Sequence, residues 1–64
     1  MKNRLGEIRC KKGWTQAMLA RRSGVARSTI TEIENGNIAN PKIDVAYKLC
    51  KALNVGVWDI FYME

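Results

Sequence analysis

Residues 16–35 read QAMLARRSGVARSTITEIEN, and this stretch decides the fold. It contains two short segments with helical spacing, separated by Gly24, a residue type that tolerates the positive φ of a tight turn. Apolar side chains stand where the two segments would pack together and where the turn has its corner: Leu19, Val25, Ile30 and Ile33. These constraints predict two helices that cross at a steep angle, with the outer face of the second helix free to enter a major groove.

The rest of the chain also has helical spacing. No stretch alternates apolar and polar residues as a half-buried strand would. Thr15 suits the start of one helix, and Gly13 and Asn54 suit the ends of others. The fourth helix, with Pro41 in its first turn, has an apolar stripe formed by Ile43, Ala46, Leu49, Cys50 and Leu53. We therefore expect one all-α domain over residues 1–64, with helices at about 2–12, 16–22, 27–35, 41–53 and 57–62 and no strands.

The composition argues against an enzyme. The chain has 64 residues, a net charge of +5 and no histidine. It is too short for a buried catalytic cleft, and it lacks the commonest general base and the commonest zinc ligand. Two distant cysteines, Cys10 and Cys50, are too few for a zinc site, so we expect no metal and no cofactor. The polar, basic N-terminus predicts neither a signal peptide nor a membrane span, which favours the cytoplasm.

The positive charge is concentrated in the first part of the chain. Residues 1–27 carry eight basic side chains against one acidic side chain, whereas residues 28–64 carry three against five. A basic half is typical of a surface that faces a polyanion, with nucleic acid or anionic lipid as candidates. Plain solubility explains the same excess equally well, and the charge alone does not choose between them.

Residues 12–36, KGWTQAMLARRSGVARSTITEIENG, resemble the helix-turn-helix core of the Xre/Cro and lambda-repressor-like DNA-binding domains. The resemblance continues through Asn40-Pro41 and the segment from Lys51 to Phe61. It implies a compact five-helix domain with the helix-turn-helix in helices two and three, over residues 16–35. It also implies double-stranded DNA as the partner.

The resemblance assigns roles to particular positions. The base-reading positions are Arg27, Ser28, Thr31 and Glu32. The phosphate-contacting positions are Gln16, Asn35, Asn37 and Lys42. Arginine at position 27 can pair with guanine, and glutamate at position 32 can accept from a cytosine amine or repel wrong bases. Arg9 and Glu34 match a family pair that forms a structural salt bridge between helices one and three.

Three positions depart from the family pattern. Ala26 stands where serine or threonine usually caps the recognition helix, and the missing cap should cost about 1 kcal/mol. Ser23 replaces an apolar residue before the turn, which predicts looser packing there. Gly56 replaces a capping serine before the last helix.

The C-terminal segment is dense in large apolar side chains and has two interpretations. As core, it closes the bundle over helices one and four; as an interface, it offers an apolar patch to a second copy. We expect Ile60 and Phe61 to point inward. The candidate dimer-interface residues are Trp58, Tyr62 and Met63. One such domain reads only a few base pairs, so specific binding normally requires a dimer on two half-sites. If the chain dimerises, either this C-terminal surface or the fourth helix forms the interface.

The leading hypothesis is a sequence-specific transcriptional regulator, a repressor or controller protein that binds an inverted-repeat operator as a homodimer. No second domain is visible, so no small-molecule effector is expected. The protein would reside in the cytoplasm and would associate with the nucleoid when bound to DNA. The alternative is a protein-interaction module, such as an antitoxin or a phage-encoded antagonist. That alternative would place hydrophobic anchors on the recognition face, which is polar instead.

Overall fold

The computed structural model describes residues 2–63, in which five helices and one short sheet form. The helices are α1 (Leu5–Lys11), α2 (Gln16–Ser23), α3 (Arg27–Glu34), α4 (Ile43–Leu53) and α5 (Val57–Ile60). The strands are β1 (Lys2–Asn3) and β2 (Phe61–Tyr62). The mostly helical architecture confirms the predicted fold class, with the helix-turn-helix in α2 and α3. None of the helices within the described range is long and apolar enough to span a bilayer.

Polar side chains and residues in the left-handed backbone conformation set the ends of the helices. Thr15 Oγ1 accepts a hydrogen bond from the backbone N–H of Met18 at 3.1 Å, so it caps α2 as predicted. Gly24 adopts a φ of 77°, and its N–H donates to the carbonyl of Ala20 at 2.9 Å. A residue with a Cβ is strained at that φ, so the sharp turn into α3 depends on glycine.

The core lies where α2 packs against α3 and α4, and the C-terminal segment closes it. The buried apolar residues are Leu5, Leu19, Val25, Ile30, Ile33, Ala46, Leu49, Cys50, Leu53, Ile60 and Phe61. This set includes the four apolar residues predicted to hold the helix-turn-helix, and Ile60 and Phe61 point inward as predicted. Each fully buried Leu, Ile or Phe contributes about 1.5–3 kcal/mol before conformational entropy is counted. The apolar side of α3, with Ile30 and Ile33, is therefore part of the core.

The expectation of helices without strands is wrong at both ends of the described chain. Lys2 pairs with Tyr62 and Asn3 pairs with Phe61 in an antiparallel register. The first helix accordingly begins at Leu5 rather than residue 2, and the last helix ends before Phe61 rather than at Tyr62. Two-residue strands are too short to show alternation of apolar and polar residues, so the sequence pattern does not reveal them.

The side chain of Asn3 joins this strand pair to the helices. Its Oδ1 accepts a hydrogen bond from the N–H of Leu5 at 3.1 Å, near the start of α1. Its Nδ2 donates to the carbonyl of Ile33 at 2.9 Å, in the last turn of α3. The N–H of Arg4 also donates to the carbonyl of Ile60 at 2.8 Å. The two ends of the described chain are therefore tied to each other and to the helix-turn-helix.

The start of α4 also differs from the prediction. Lys42 is the N-cap and Ile43 is the first helical residue, so Pro41 lies before the helix rather than in its first turn. Ile43 is 88% exposed, although its spacing places it on the apolar stripe of α4. The buried part of the stripe begins one turn later, at Ala46. Ile43 therefore extends beyond the elements that cover the rest of the stripe.

Two of the three departures from the family pattern are compensated locally. Ser23 Oγ accepts a hydrogen bond from the N–H of Val25 at 3.1 Å, so this hydroxyl supports the turn. The N–H of Gly56 donates to the carboxylate of Asp59 at 2.7 Å, which is one half of a capping box. Ala26 makes no side-chain cap hydrogen bond to α3. Helix α3 therefore starts without the cap that serine would supply.

Candidate nucleic-acid interface

Helix α3 has a polar outer side opposite its buried one. Ile30 and Ile33 are fully buried. The predicted base-reading residues differ in exposure: Thr31 is half-buried, and the exposed ones are Arg27, Ser28 and Glu32. Such a helix can offer hydrogen-bonding groups to base edges while its apolar side holds it in place.

The outer side of α3 is connected to the start of α2 by a hydrogen bond. Thr31 Oγ1 lies 2.9 Å from Gln16 Oε1 and 3.1 Å from the carbonyl of Arg27, so its single hydroxyl proton has two acceptors. Gln16 Nε2 in turn donates to Glu34 Oε1 at 3.1 Å. A residue predicted to read bases and one predicted to contact phosphate therefore fix each other's orientation.

Arg9 and Glu34 form an ion pair between α1 and α3. Arg9 Nε lies 2.8 Å from Glu34 Oε2, and Arg9 Nη2 donates to Glu34 Oε1 at 3.1 Å. The two side chains are only 15% and 12% exposed. Arg9 Nη1 also donates to the carbonyl of Trp14 at 2.7 Å. A Cβ at Gly6 would lie 3.0 Å from Glu34 Oε1, so glycine leaves the space that this pair needs.

Burial and hydrogen bonding act in opposite directions on Glu34. Burial alone would raise the pKa of its carboxyl, but hydrogen bonds from Arg9 and Gln16 and the positive charge of Arg9 lower that pKa below its ordinary value. The hydrogen bond to Glu34 also raises the pKa of Arg9. Both groups are therefore charged at neutral pH, and the pair stabilises the fold while the carboxylate is ionised.

The residues predicted to contact phosphates lie at the ends of three helices. Gln16 begins α2, Asn35 is the exposed C-cap of α3, and Lys42 is the exposed N-cap of α4. Asn37 follows α3 in the connecting loop, and its Nδ2 donates to Glu32 Oε2 at 2.9 Å. The last contact joins a predicted phosphate ligand to a predicted base reader, which the sequence does not indicate.

Sequence reasoning also missed a cationic cluster around Trp14. The guanidinium of Arg22 lies 4.4 Å from the centroid of the Trp14 ring, and the ammonium of Lys12 lies 5.8 Å from it. Cation–π contacts of this kind contribute about 0.5–1 kcal/mol at exposed sites. The indole therefore holds two positive charges beside the turn that precedes α2.

A second candidate surface lies on α4 and α5 and is apolar. Ile43, Tyr47, Val57 and Trp58 are all exposed large hydrophobic residues of these two helices. Three of them line an open groove of about 700 Å³, which Cys50, Lys51 and Asp59 also line. Burial and the charge of Asp59 raise the pKa of the Cys50 thiol, and both Cys10 and Cys50 are free.

The three residues predicted for a dimer interface differ in their surroundings. Trp58 and Met63 are exposed, at 71% and 72%. Tyr62 is half-buried, and the guanidinium of Arg4 lies 4.5 Å from the centroid of its ring. The sequence indicated the fourth helix as the other possible interface, but it named neither Ile43 nor Tyr47, and the spacing of α4 placed Ile43 in the core.

Two helices joined at a left-handed glycine, with one buried and one polar side on the second helix, define a helix-turn-helix domain. The helix-turn-helix family profile matches residues 5–57 of the chain. The chain belongs to this family, in its Xre and lambda-repressor-like form. Membership confirms the resemblance drawn from the sequence and the prediction that the protein is not an enzyme.

Similar proteins are described as transcriptional regulators. The chain is 38% identical to the uncharacterised HTH-type transcriptional regulator YgzD of Bacillus subtilis, over 100% of this chain and 96% of that protein. It is 41% identical to the uncharacterised HTH-type transcriptional regulator MJ0272 of Methanocaldococcus jannaschii, over 100% of this chain and 96% of that protein. It is 39% identical to the competence pilus inhibition repressor of Acinetobacter baylyi, over 88% of this chain and 50% of that protein. These likenesses support a DNA-binding regulator.

Proposed function

We propose that this protein is a sequence-specific transcriptional regulator that inserts α3 into the major groove of double-stranded DNA. The observation that carries the proposal is the division of α3 into a buried apolar side and a polar outer side. Arg27 would donate two hydrogen bonds to guanine O6 and N7, and the Ser28 hydroxyl would donate or accept at a neighbouring base edge. The Thr31 hydroxyl, whose proton is donated to Gln16 Oε1, would accept.

Gln16 would fix the register of α3 by contacting a phosphate. One N–H of its amide is bound to Glu34 and its oxygen accepts from Thr31, so the second N–H remains for a phosphate oxygen. Because both bonds already restrict the amide, little side-chain freedom is lost on binding. Asn35 and Lys42, which are exposed, would add further phosphate contacts.

Two copies of the chain would bind the two half-sites of an inverted repeat, about one DNA turn apart. The second copy would dock on the α4 and α5 face, where Ile43, Tyr47 and Trp58 are exposed. Lys51 and Asp59 line the same groove and carry opposite charges. In a two-fold arrangement each of these charges can face the opposite charge of the partner, which makes the face complementary to itself.

The C-terminal residues would contribute unequally to this dimer. Met63 is exposed and can extend the apolar contact of Trp58. Tyr62 would contribute less, because Arg4 already covers its ring within the same chain.

A bound dimer would act sterically, by covering a promoter or operator against polymerase, or by touching polymerase to activate it. The relative in Acinetobacter baylyi is named as a repressor, which favours the first mode. The mechanism requires no cofactor and no small-molecule effector. The protein would act in the cytoplasm, on the nucleoid when bound to DNA.

Selection from random duplexes tests this function. The purified protein is incubated with the pool at physiological salt, and bound DNA is amplified over several rounds and sequenced. We expect an enriched inverted repeat with half-sites about 10 base pairs apart. Arg27→Ala should lose preference at one base position in each half-site, whereas Arg21→Ala, an exposed arginine on α2, should leave the profile unchanged.

Other outcomes would contradict parts of the proposal. Enrichment of a single short half-site would support base reading and would contradict binding as a dimer. Retention without enrichment, with a steep dependence on salt, would indicate non-specific electrostatic binding. The protein-interaction alternative, such as an antitoxin or a phage-encoded antagonist, would then become the leading function.

A further inference from the structure

The C-terminus of α3 is closed by a pair of backbone hydrogen bonds. The N–H of Asn37 donates to the carbonyl of Glu32 at 2.9 Å, and the N–H of Gly36 donates to the carbonyl of Ile33 at 3.0 Å. Together with a φ of 82° at Gly36, these bonds form a Schellman motif. The motif fixes the backbone of Asn37 beside the last turns of α3.

The side chains at this motif are unusual in being polar. The residue after the glycine commonly makes a hydrophobic contact with the helix residue whose carbonyl it binds. Here Asn37 Nδ2 donates instead to Glu32 Oε2 at 2.9 Å, and both side chains are exposed. The next residue, Ile38, packs against the core and its N–H also donates to the Glu32 carbonyl, at 3.2 Å. The loop thus has its own apolar anchor, and the Asn37 amide acts on the Glu32 side chain.

We propose that Asn37 is a positioning residue for Glu32, and that the pair selects a base pair presenting an amino group in the major groove. This inference rests on the proposed DNA-binding function. It replaces the phosphate contact that the sequence predicts for Asn37. Glu32 Oε2 accepts from Asn37, and Oε1 is left to accept from the N4 amine of cytosine.

Restricting the side chain of Glu32 affects the affinity for the correct base pair and for incorrect ones. A free glutamate samples several rotamers and loses that freedom when it binds a base edge. The hydrogen bond from Asn37 removes part of this freedom before DNA binds. A held carboxylate turns away from the acceptor atoms of a wrong base only by breaking the bond from Asn37, so the wrong base is disfavoured further. Both effects act only at the base pair that Glu32 reads.

The test compares Asn37→Ala with Asn35→Ala on the operator that the wild-type protein selects. Asn35 is a matched control, because it is an exposed asparagine of the same turn whose side chain makes no hydrogen bond in the described part of the chain. Fluorescence anisotropy gives Kd for the operator and for each single-base-pair variant. Asn37→Ala should lower discrimination at one base pair of each half-site by about two- to tenfold. Asn35→Ala should weaken binding to all variants alike.

Glu32→Ala identifies the base pair concerned. It should remove discrimination at the same position that Asn37→Ala affects. In the Glu32→Ala background, Asn37→Ala should have no further effect there, because no carboxylate is left to position. Thermal unfolding of each variant separates positioning from loss of fold. If Asn37→Ala lowers Tm, Asn37→Asp keeps the size and turn preference of the residue, and its repulsion of Glu32 should disturb the same base pair.

Two results would overturn the inference while leaving the regulator intact. One is an Asn37→Ala profile of unchanged shape with uniformly weaker binding, which is the signature of a phosphate ligand. The other is an effect of Asn37→Ala that persists without Glu32. Failure of the wild-type protein to select any sequence would overturn the proposed function itself, so the two failures are distinguishable.

Discussion

The two parts of this small protein expose surfaces of opposite chemistry. On α2 and α3, the polar side chains of Gln16, Thr31 and Glu34 are already hydrogen-bonded to one another. On α4 and α5, Ile43 and Trp58 are 88% and 71% exposed beside an open groove. The first surface is organised within one chain, so its order does not depend on a partner. The second exposes apolar area to water, and in the proposed dimer the partner would cover it.

The largest effect should come from comparing the same change, isoleucine to alanine, beneath the polar surface and on the apolar surface. Ile33→Ala removes a fully buried side chain of α3 and should cost about 2–5 kcal/mol of unfolding free energy. Ile43→Ala, at the exposed start of α4, should change it by less than about 0.5 kcal/mol. Urea denaturation at a low protein concentration measures both. Equal losses would mean that Ile43 is covered in the free chain, and the contrast between the surfaces would be lost.

The next effect concerns the ion pair beneath the polar surface. Glu34→Gln should lower the free energy of unfolding by about 3 kcal/mol at pH 7, because it leaves Arg9 nearly buried without its counter-charge. Glu32→Gln, an exposed carboxylate of the same helix, should change it by less than about 0.5 kcal/mol.

The same pair gives a pH dependence of definite sign. The folded-state pKa of Glu34 is lowered, so its contribution to stability is fully present above its ordinary pKa of 4.5 and is lost as pH falls through the lowered value. Stability of the wild-type protein should therefore fall more steeply below pH 4.5 than that of Glu34→Gln. Parallel curves for the two proteins would contradict the role of this carboxylate.

A smaller effect should appear on the apolar surface. Trp58→Ala should raise the dimer dissociation constant about thirtyfold, corresponding to about 2 kcal/mol, because Trp58 would be a central contact of the partner. Sedimentation over a micromolar concentration range measures the change. Tyr62→Ala is the comparison, and it should shift dissociation less because Arg4 covers that ring. An unchanged sedimentation profile for Trp58→Ala would place the interface elsewhere.

The smallest effect should be an increase in the stability of the domain. Ala26→Ser supplies the missing cap of α3 and should stabilise the domain by about 1 kcal/mol, because Ala26 has the extended ψ of 139° that a capping residue adopts. The increase in Tm is measured by calorimetry. A decrease would show that the start of α3 has no room for a hydroxyl.

The helix-turn-helix could be predicted because its determinants are local. Thr15 and Gly24 mark helix ends by residue type, and the spacing of Ile30 and Ile33 marks the buried side of α3. The strand pair could not be predicted, because its two residue pairs are 60 and 58 positions apart in the chain and show no periodicity. The exposure of Ile43 could not be predicted either. The spacing of apolar residues indicates which side of a helix is apolar, but it does not indicate how far the neighbouring elements cover that side.

One contact of the candidate site could be predicted from the sequence, and the others could not. The family resemblance placed Arg9 beside Glu34, and the structure has them 2.8 Å apart. The bonds from Gln16 to Thr31 and from Asn37 to Glu32 have no sequence signal, because the same residue types are also typical of unpaired surface positions. They arise from how α2 meets α3 and from the Schellman closure of α3, which only three-dimensional packing determines.

The pairing of β1 with β2 determines how the molecule responds to a pulling force. Lys2 and Tyr62 are partners, so handles attached to the two ends would load the strand pair from one side. Its hydrogen bonds would then break one after another, as a zipper opens, rather than together. After them, the load would pass to the hydrogen bond from the Arg4 N–H to the carbonyl of Ile60 and to the Asn3 side chain, which holds the carbonyl of Ile33. A force applied at the ends would therefore reach α3 in part through the side-chain amide of Asn3.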